Sequence, residues 1–278
     1  SLFHLAKEHT RVAADQMAPL GPVLPPAPLV LAQEQVEGIN PASSPAMLEI
    51  YFNSGGKCFL SRDNRGVWVP YNENQIKRLL QSHGYGKGAR KGEPMSTLNM
   101  ALLTIQTTRV VDYAGPLAGY RAGIVDQVGH RILVTSSPDI IQPQPGEWPN
   151  QKKVLYGLLC EEQVNYLIGW LKVAYEALRA GKRIPGQALV IAGPVDAGKS
   201  LVQKVITVIL GGRCQRPYQV MTQGTPFNAH LFGAEHLMVE DEVPSTDLRA
   251  RRAFGAFLKS LTVNQDQQCH AKGQTPIM

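Results

Sequence analysis

The sequence of 278 residues contains few cysteines and no long apolar run, and both absences limit what the protein can be. Its four cysteines, at positions 58, 160, 214 and 269, lie far apart. The sequence therefore has no Cys-x-x-Cys pair for zinc or redox chemistry, and we expect reduced thiols in a cytoplasmic protein. No apolar run reaches the roughly 18 residues that cross a bilayer, and charges interrupt the N-terminal SLFHLAKEHT. We expect neither a membrane span nor a secretory signal.

Charged residues are also scarce, at 18% of the chain. The balance is nevertheless basic, because 28 Lys and Arg stand against 22 Asp and Glu and give a net charge of +6. This excess favours a polyanionic partner, although an ordinary basic surface has the same composition. With 44% hydrophobic residues, the chain is long enough for one large domain or two ordinary ones.

Prolines and turn residues divide the first half of the chain. Five prolines between Pro19 and Pro28 predict an N-terminal segment and a proline-rich linker at residues 1–46. After it, MLEIYFN, GKCFLSR and GVWVPY predict an antiparallel meander of three strands, and NQIKRLLQS at 74–82 predicts a short amphipathic helix. Further strands, including RILVTSS at 131–137, complete a predicted small α+β domain at 47–150 whose role is unclear.

A helical region is predicted next, at residues 151–184. Apolar residues from Leu155 to Leu178 recur mostly three and four positions apart, which predicts one long helix over 152–180. Gly181 and Pro185 end this helix. The remaining segment, 185–278, contains the motifs with the clearest chemistry.

The stretch ALVIAGPVDAGKSLV at 188–202 predicts a phosphate-binding loop. Its GPVDAGKS matches the pattern G-x-x-x-x-G-K-[ST] at every fixed position. Such a glycine-rich turn points backbone N–H groups into one concavity, and the following helix directs its N-terminal dipole at the same phosphates. Residues 188–192 read as the preceding strand, and LVQKVITVIL reads as the helix. The predicted ATP-binding residues are Gly193, Pro194, Val195, Asp196, Ala197, Gly198, Lys199, Ser200 and Leu201.

The chemical roles within this loop follow from its residue types. Lys199 is predicted to reach the β- and γ-phosphates as a catalytic charge, and the Ser200 hydroxyl to bind Mg²⁺. A second strand, LMVEDE at 237–242, runs into three consecutive acids. We assign Asp241 to the metal and Glu242 to the base that activates water. A register shifted to Glu240 and Asp241 is the alternative.

From about residue 150 to 278, the order and spacing of these motifs resemble superfamily 3 helicases, in particular the helicase part of phage and prophage primase-helicases. LGGR follows the loop, KSLTVNQDQQCHAKG follows the acidic strand, and PGEWP and GWLKVAYEALRAG precede both, like that family's helical collar. The resemblance implies an α/β fold in which a P-loop NTPase (AAA+-like) domain with a parallel sheet occupies 185–278. It also implies ATP and Mg²⁺ as cofactors, DNA as partner, and a homo-hexamer in the cytoplasm of a bacterial host.

The same resemblance implies a DNA-contacting hairpin after the acidic strand. Lys259, His270 and Lys272 match its basic residues, and Gly273 permits a tight turn. A lysine on a hairpin can neutralise a phosphate of single-stranded or forked DNA without reading its sequence. A plain surface loop would contain the same residues.

Other parts of such a helicase are expected outside this sequence. The family's sensor Asn and arginine finger would follow residue 278, and the chain begins with Ser, so we expect a piece of a longer protein that binds ATP and hydrolyses it poorly. A primase would lie upstream or on another chain. An arginine finger before the hairpin would be out of family order, so we expect a solvated or DNA-facing helix to hold Arg249, Arg251 and Arg252.

Two other classes of protein remain compatible with these motifs. One is a different P-loop DNA motor, such as a packaging or partition ATPase, although these usually lack a basic hairpin directly after the acidic strand. The other is a nucleotide-gated DNA-binding or loading module that does not hydrolyse ATP.

Overall fold

The computed structural model describes residues 48–89, 91–182, 188–223, 227–240, 247–264, 267–274 and 276–277. All of them belong to one unit of the chain, which spans residues 45–278. The predicted N-terminal segment and linker at 1–46 lie outside the described residues. The boundaries predicted near residues 150 and 184 stay predictions.

A three-stranded antiparallel meander comes first, as the sequence predicted. It consists of β1 (Ile50–Asn53), β2 (Cys58–Arg62) and β3 (Trp68–Tyr71), and β4 (Val110–Val111) adds to β1 in parallel. The strand order is therefore β3-β2-β1-β4. Short runs of aromatic and branched residues between turns suit such a half-buried sheet.

Two helices pack on this sheet, one of them predicted. Helix α1 (Glu73–Ser82) begins at Asn72, whose side chain and that of Gln75 form a capping box. Helix α2 (Thr97–Thr108) begins at Ser96 and was not predicted, because its four threonines are poor helix formers. Both helices and the sheet share one hydrophobic core, which contains Ile50, Phe59, Ile76, Leu80, Leu98, Leu102 and Ile105.

A second small sheet follows, with the strand order β5-β7-β6. Strand β5 (Tyr113–Gly115) pairs in parallel with β7 (His130–Val134), and β6 (Gly123–Gln127) forms an antiparallel hairpin with β7. The hairpin turn consists of Val128 and Gly129, which have φ values of 48° and 79°. Two positive φ values at a two-residue turn are typical of type I′, which strongly prefers Asn-Gly.

The predicted long helix over 152–180 is in fact two helices, α3 (Pro149–Leu158) and α4 (Glu161–Arg179). Leu159 is extended, with φ −129° and ψ 148°, and the Cys160 N–H donates to Gln163 Oε1 at 3.1 Å. Two acidic residues in the first turn of α4 favour a new helix start, because they compensate its N-terminal dipole. The apolar spacing continues across the break and therefore does not reveal it.

The remaining elements begin at the predicted phosphate-binding loop and follow it along the chain. They are α5 (Lys199–Ile209), β8 (Cys214–Gln215), α6 (Tyr218–Gln223), a 3₁₀ helix (Ala229–Gly233), β9 (His236–Leu237) and α7 (Leu248–Val263). Helix α5 packs against α4 through Val202, Ile206, Leu210 and Leu167.

The fold is mixed α/β, but a parallel sheet like that of P-loop proteins is not evident in the described residues. Strands β8 and β9 pair in parallel over only two residues each. Residues 188–192, predicted as the strand before the loop, are not part of any described strand pairing. Leu189 and Ile191 nevertheless pack on the core under α5, and Val190 is 83% exposed, which is the alternation of a strand.

An ion pair joins the β5-β7-β6 sheet to the segment that contains β8 and β9. The Arg213 guanidinium donates to both carboxylate oxygens of Glu235, whose side chain is only 4% exposed. The same guanidinium donates to the backbone oxygens of Ser136 and Leu117, at 3.1 and 3.3 Å. The Gly119 N–H donates to Glu235 Oε1 at 3.0 Å.

We expect Val128→Asn to stabilise the protein by about 1 kcal/mol, because Asn tolerates the left-handed backbone that strains a β-branched residue. Denaturant unfolding measures the change. Val67→Asn is the matched control, since Val67 is also exposed but has no positive φ and precedes β3. An unchanged or lower free energy of unfolding in Val128→Asn would contradict the presence of backbone strain at this position.

We expect Arg213→Ala to lower the free energy of unfolding by about 3–5 kcal/mol, because it leaves the Glu235 carboxylate buried without its cation. Lys77→Ala is the control, since Lys77 pairs with Glu73 on the exposed face of α1 and such a pair contributes under about 1 kcal/mol. If chemical denaturation gave equal losses of unfolding free energy for the two substitutions, the buried pair would stabilise the fold no more than the exposed pair.

Candidate nucleotide-binding site

The predicted phosphate-binding loop forms a turn at the N-terminus of α5. Asp196 and Gly198 both have left-handed backbone conformations, with φ values of 60° and 95°. Gly198 is the N-cap of α5, and no atom lies within 4 Å of where its Cβ would stand. The φ angle, and not the space available, therefore calls for glycine there. Left-handed residues separated by one position turn successive N–H groups toward the same side, where they can hold an oxyanion.

The Lys199 side chain folds back over this turn. Its Nζ donates to the carbonyl oxygens of Gly193 and Pro194, at 3.1 and 2.6 Å. The ammonium therefore lies above the loop whose N–H groups begin helix α5. Ser200, the next residue, is exposed. A cation, a hydroxyl and the first N–H groups of a helix together can bind a phosphate group.

Helix α5 is tied to β9 and to the residues that follow it. Gln203 Nε2 donates to Val239 O at 3.3 Å, and the Thr207 hydroxyl lies 2.8 Å from His236 Nδ1. Burial lowers the pKa of His236 below its ordinary value of 6.5. These contacts hold the loop's helix beside the chain that leads to the acidic residues. The sequence analysis missed them, because side chains more than 25 residues apart leave no local signal.

Of the three consecutive acids, only Glu240 lies within the described residues. Its carboxylate forms an ion pair with Arg216 at 2.6 Å and is 24% exposed. Asp241 and Glu242, predicted as metal ligand and base, lie outside the described residues. The predicted strand over 237–242 is described only as β9, which ends at Leu237. No group of three or more His, Cys, Asp or Glu side chains that could hold a metal occurs among the residues the structure describes.

The predicted basic hairpin has a turn where the sequence placed one. Cys269 and Ile277 form an antiparallel bridge, and Gly273 has a φ of 75°. The Gln274 N–H donates to Ala271 O at 3.1 Å, and Lys272 is exposed. The hairpin base is anchored, because Cys269 and Ile277 are buried in a core with residues of the second sheet.

The other two predicted DNA-binding residues occupy different environments. Lys259 is exposed on α7, between the half-buried Leu258 and Ser260. The His270 ring meets the edge of Phe227 with centroids 5.0 Å apart, and its backbone is bonded to Asn228. His270 is therefore held by packing, whereas Lys259 and Lys272 face outward. Exposed residues of the same helix α7 include Arg249, Arg251 and Arg252.

Burial also affects the ionisable groups at the hairpin base. It raises the pKa of the Cys269 thiol to about 11, so this cysteine stays protonated at neutral pH. Burial and the neighbouring Cys269 raise the pKa of Tyr113 to about 12. All four cysteines are free thiols. Within the described ranges, no helix is both long and apolar enough to cross a membrane.

The described residues thus form a mixed α/β fold in which a turn with two left-handed residues precedes α5. This fold is similar to the apo structure of the NrS-1 C-terminal region, with a TM-score of 0.55 and 14% sequence identity. The similarity covers 83% of this chain and 51% of that region, so this chain spans about half its length. At such low identity, the similarity shows a shared fold. No protein-family model and no curated protein sequence matches the chain.

We expect the protein to lose stability as the pH falls below 6.5, and His236 to be one cause. Above that pH the imidazole is neutral in both states and has no effect. Below it the unfolded chain binds a proton that burial denies the folded one, so the free energy of unfolding falls. One such group contributes at most about 1.4 kcal/mol per pH unit.

Urea unfolding between pH 5 and pH 8 tests this, with His236→Asn expected to remove part of the slope. Thr207→Val is the control, because it removes the hydrogen bond but leaves the imidazole buried, and should lower stability without flattening the slope. An identical slope in His236→Asn would mean that this imidazole is not responsible.

Proposed function

We propose that this protein binds ATP and Mg²⁺ at residues 193–201 and acts as an ATP-dependent DNA helicase of the superfamily 3 type in the replication of a phage, prophage or plasmid. The observation that carries the proposal is the turn before α5. There, left-handed residues at positions 196 and 198 precede a lysine that folds over the loop. This turn is formed by the residues that match the pattern G-x-x-x-x-G-K-[ST], so the backbone agrees with the phosphate ligand that the pattern predicts.

The fold comparison supports the proposal of a helicase over other classes of phosphate-binding protein. NrS-1 is a phage primase-helicase, and the similarity to its C-terminal region extends over most of this chain. A fold shared at 14% identity does not transfer an activity, so the helicase function is our inference. It agrees with the resemblance of residues 150–278 to the helicase part of such proteins.

The catalytic roles follow the contacts of the acidic residues. Glu240 is engaged with Arg216, and its neighbour Val239 with Gln203, so both residues have structural partners. This favours Asp241 as the residue that holds Mg²⁺ and Glu242 as the base, over the register shifted by one position. Magnesium, when bound, neutralises charge that develops on the transferred phosphoryl group. Lys199 and Ser200 would contact the same phosphates and metal.

The DNA partner follows from charge and exposure. Lys272 at the hairpin tip and Lys259 on α7 face outward, where they can neutralise phosphates of single-stranded or forked DNA. We assign His270 a packing role, because its ring and backbone are engaged with Phe227 and Asn228. A homo-hexameric ring, in the cytoplasm of a bacterial host and with a primase upstream or on another chain, completes the proposal.

We expect Lys199→Ala to weaken ATP binding at least tenfold, because the loop loses its cation for the β- and γ-phosphates. Titration with a fluorescent ATP analogue in the presence of Mg²⁺ measures this. Lys204→Ala is the matched control, since Lys204 is exposed on the same helix one and a half turns further along. Equal affinity of the Lys199 variant and the parent protein would refute the nucleotide site.

A second measurement on the same variants distinguishes a DNA motor from a nucleotide-gated binding module. Because we expect this chain to hydrolyse ATP poorly, even slow hydrolysis supports a motor when single-stranded DNA stimulates it, Lys199→Ala abolishes it and Lys204→Ala keeps it. DNA binding that depends on ATP without turnover supports a nucleotide-gated binding module instead.

A further inference from the structure

The hairpin of residues 269–277 lies against the turn between β1 and β2, at the other end of the described chain. A Cβ on Gly55 would stand 3.1 Å from Gln274 Oε1, and one on Gly56 would stand 3.3 Å from Gln274 Nε2. The Gln274 amide therefore rests directly on two glycines that have no side chain to keep it away. The contact links the meander, whose role was unclear, to the basic hairpin.

Both turns at this contact are fixed by their own hydrogen bonds. In the β1–β2 turn, the Ser54 N–H donates to Val111 O at 2.9 Å and the Gly56 N–H donates to Asn53 Oδ1 at 3.1 Å. Asn53 is 4% exposed, so this acceptor is buried. In the hairpin, Cys269 and Ile277 exchange two backbone bonds of 2.8 and 3.0 Å. Hydrogen bonds thus define the backbone of both turns at the contact.

Each turn presents one exposed lysine next to the contact. Lys57 follows Gly56 and has a φ of 50°, and Lys272 precedes Gln274 by two residues. Neither turn contains an acidic residue. Asp112 lies beside this contact, because its backbone oxygen approaches Gly55, and its carboxylate has partners of its own. This carboxylate accepts from the Arg131 N–H at 2.9 Å and lies 3.5 Å from the His130 ring. Each side of the Gln274 contact therefore has one exposed lysine within two residues of it.

We propose that Lys57 and Lys272 bind the phosphates of one single strand of DNA, so that the β1–β2 turn is part of the nucleic-acid-binding surface. This inference rests on the proposed function for the nature of the partner, and it assigns a role to the meander. Lysines on rigid turns bind phosphates regardless of base sequence, because the backbone charge is the same at every nucleotide. Gln274 holds the spacing between the two lysines and is a positioning residue.

The test measures binding of a labelled oligothymidine to the whole chain at several salt concentrations. Lys57→Asn removes the charge while tolerating the left-handed backbone, so the turn stays folded. We expect affinity to fall about threefold to tenfold at low salt, and the slope of log K against log salt to fall by about 0.7. Lys57→Arg should keep the affinity. The control is Lys172→Gln, a charge on α4 with a side chain that is 70% exposed.

Gln274→Ala provides the second test. In that background we expect Lys57→Asn to change affinity by less than twofold, because the turn is no longer held beside the hairpin. An effect of Lys57→Asn equal to that of Lys172→Gln, with Lys272→Gln still weakening binding, would overturn this inference and leave the proposed function standing. A parent protein that binds no oligothymidine at any salt concentration would overturn both.

Discussion

The ion pair of Arg213 and Glu235 is the constraint on which the rest of the arrangement depends. A carboxylate that is 4% exposed is costly to bury, and here the guanidinium and the Gly119 N–H together compensate it. The same guanidinium binds backbone oxygens at Ser136 and Leu117, so one side chain fixes both the loop after β5 and the end of β7. The segment that contains β8 and β9 therefore has a defined position on the second sheet.

Two hydrophobic cores also hold these segments together. One core contains Leu117, Ile132 and Val134 from the region of the second sheet together with Cys269 and Ile277 from the hairpin base. Another core joins α4 and α5 and includes Leu189 and Ile191 just before the turn at Gly198. The hairpin and the turn are thus each anchored in a core, while Lys272 is exposed and Lys199 is half-buried.

Local features could be predicted from the sequence, and contacts between distant residues could not. The meander, α1, α5 and the turn at Gly198 follow from propensity, capping and glycine chemistry within a few residues. The break between α3 and α4 was missed, because the apolar spacing runs through it while the start signal at Glu161 is electrostatic. The strand predicted at 188–192 alternates as a strand should but lacks a described partner strand, and pairing is a property of two segments. The Arg213–Glu235 pair and the Gln274 contact likewise leave no trace in either local sequence.

In the proposed nucleotide site, the bonds of Lys199 to its own loop would favour ligands that carry several charges. An anion that takes over the ammonium must replace two carbonyl contacts, at Gly193 and Pro194. A singly charged ion offers little in exchange, whereas a polyphosphate reaches the ammonium and several backbone N–H groups of the α5 N-terminus at once. In the proposed site, the two carbonyl oxygens thereby compete with a ligand for the ammonium, which would disfavour simple anions of the solvent without any steric barrier.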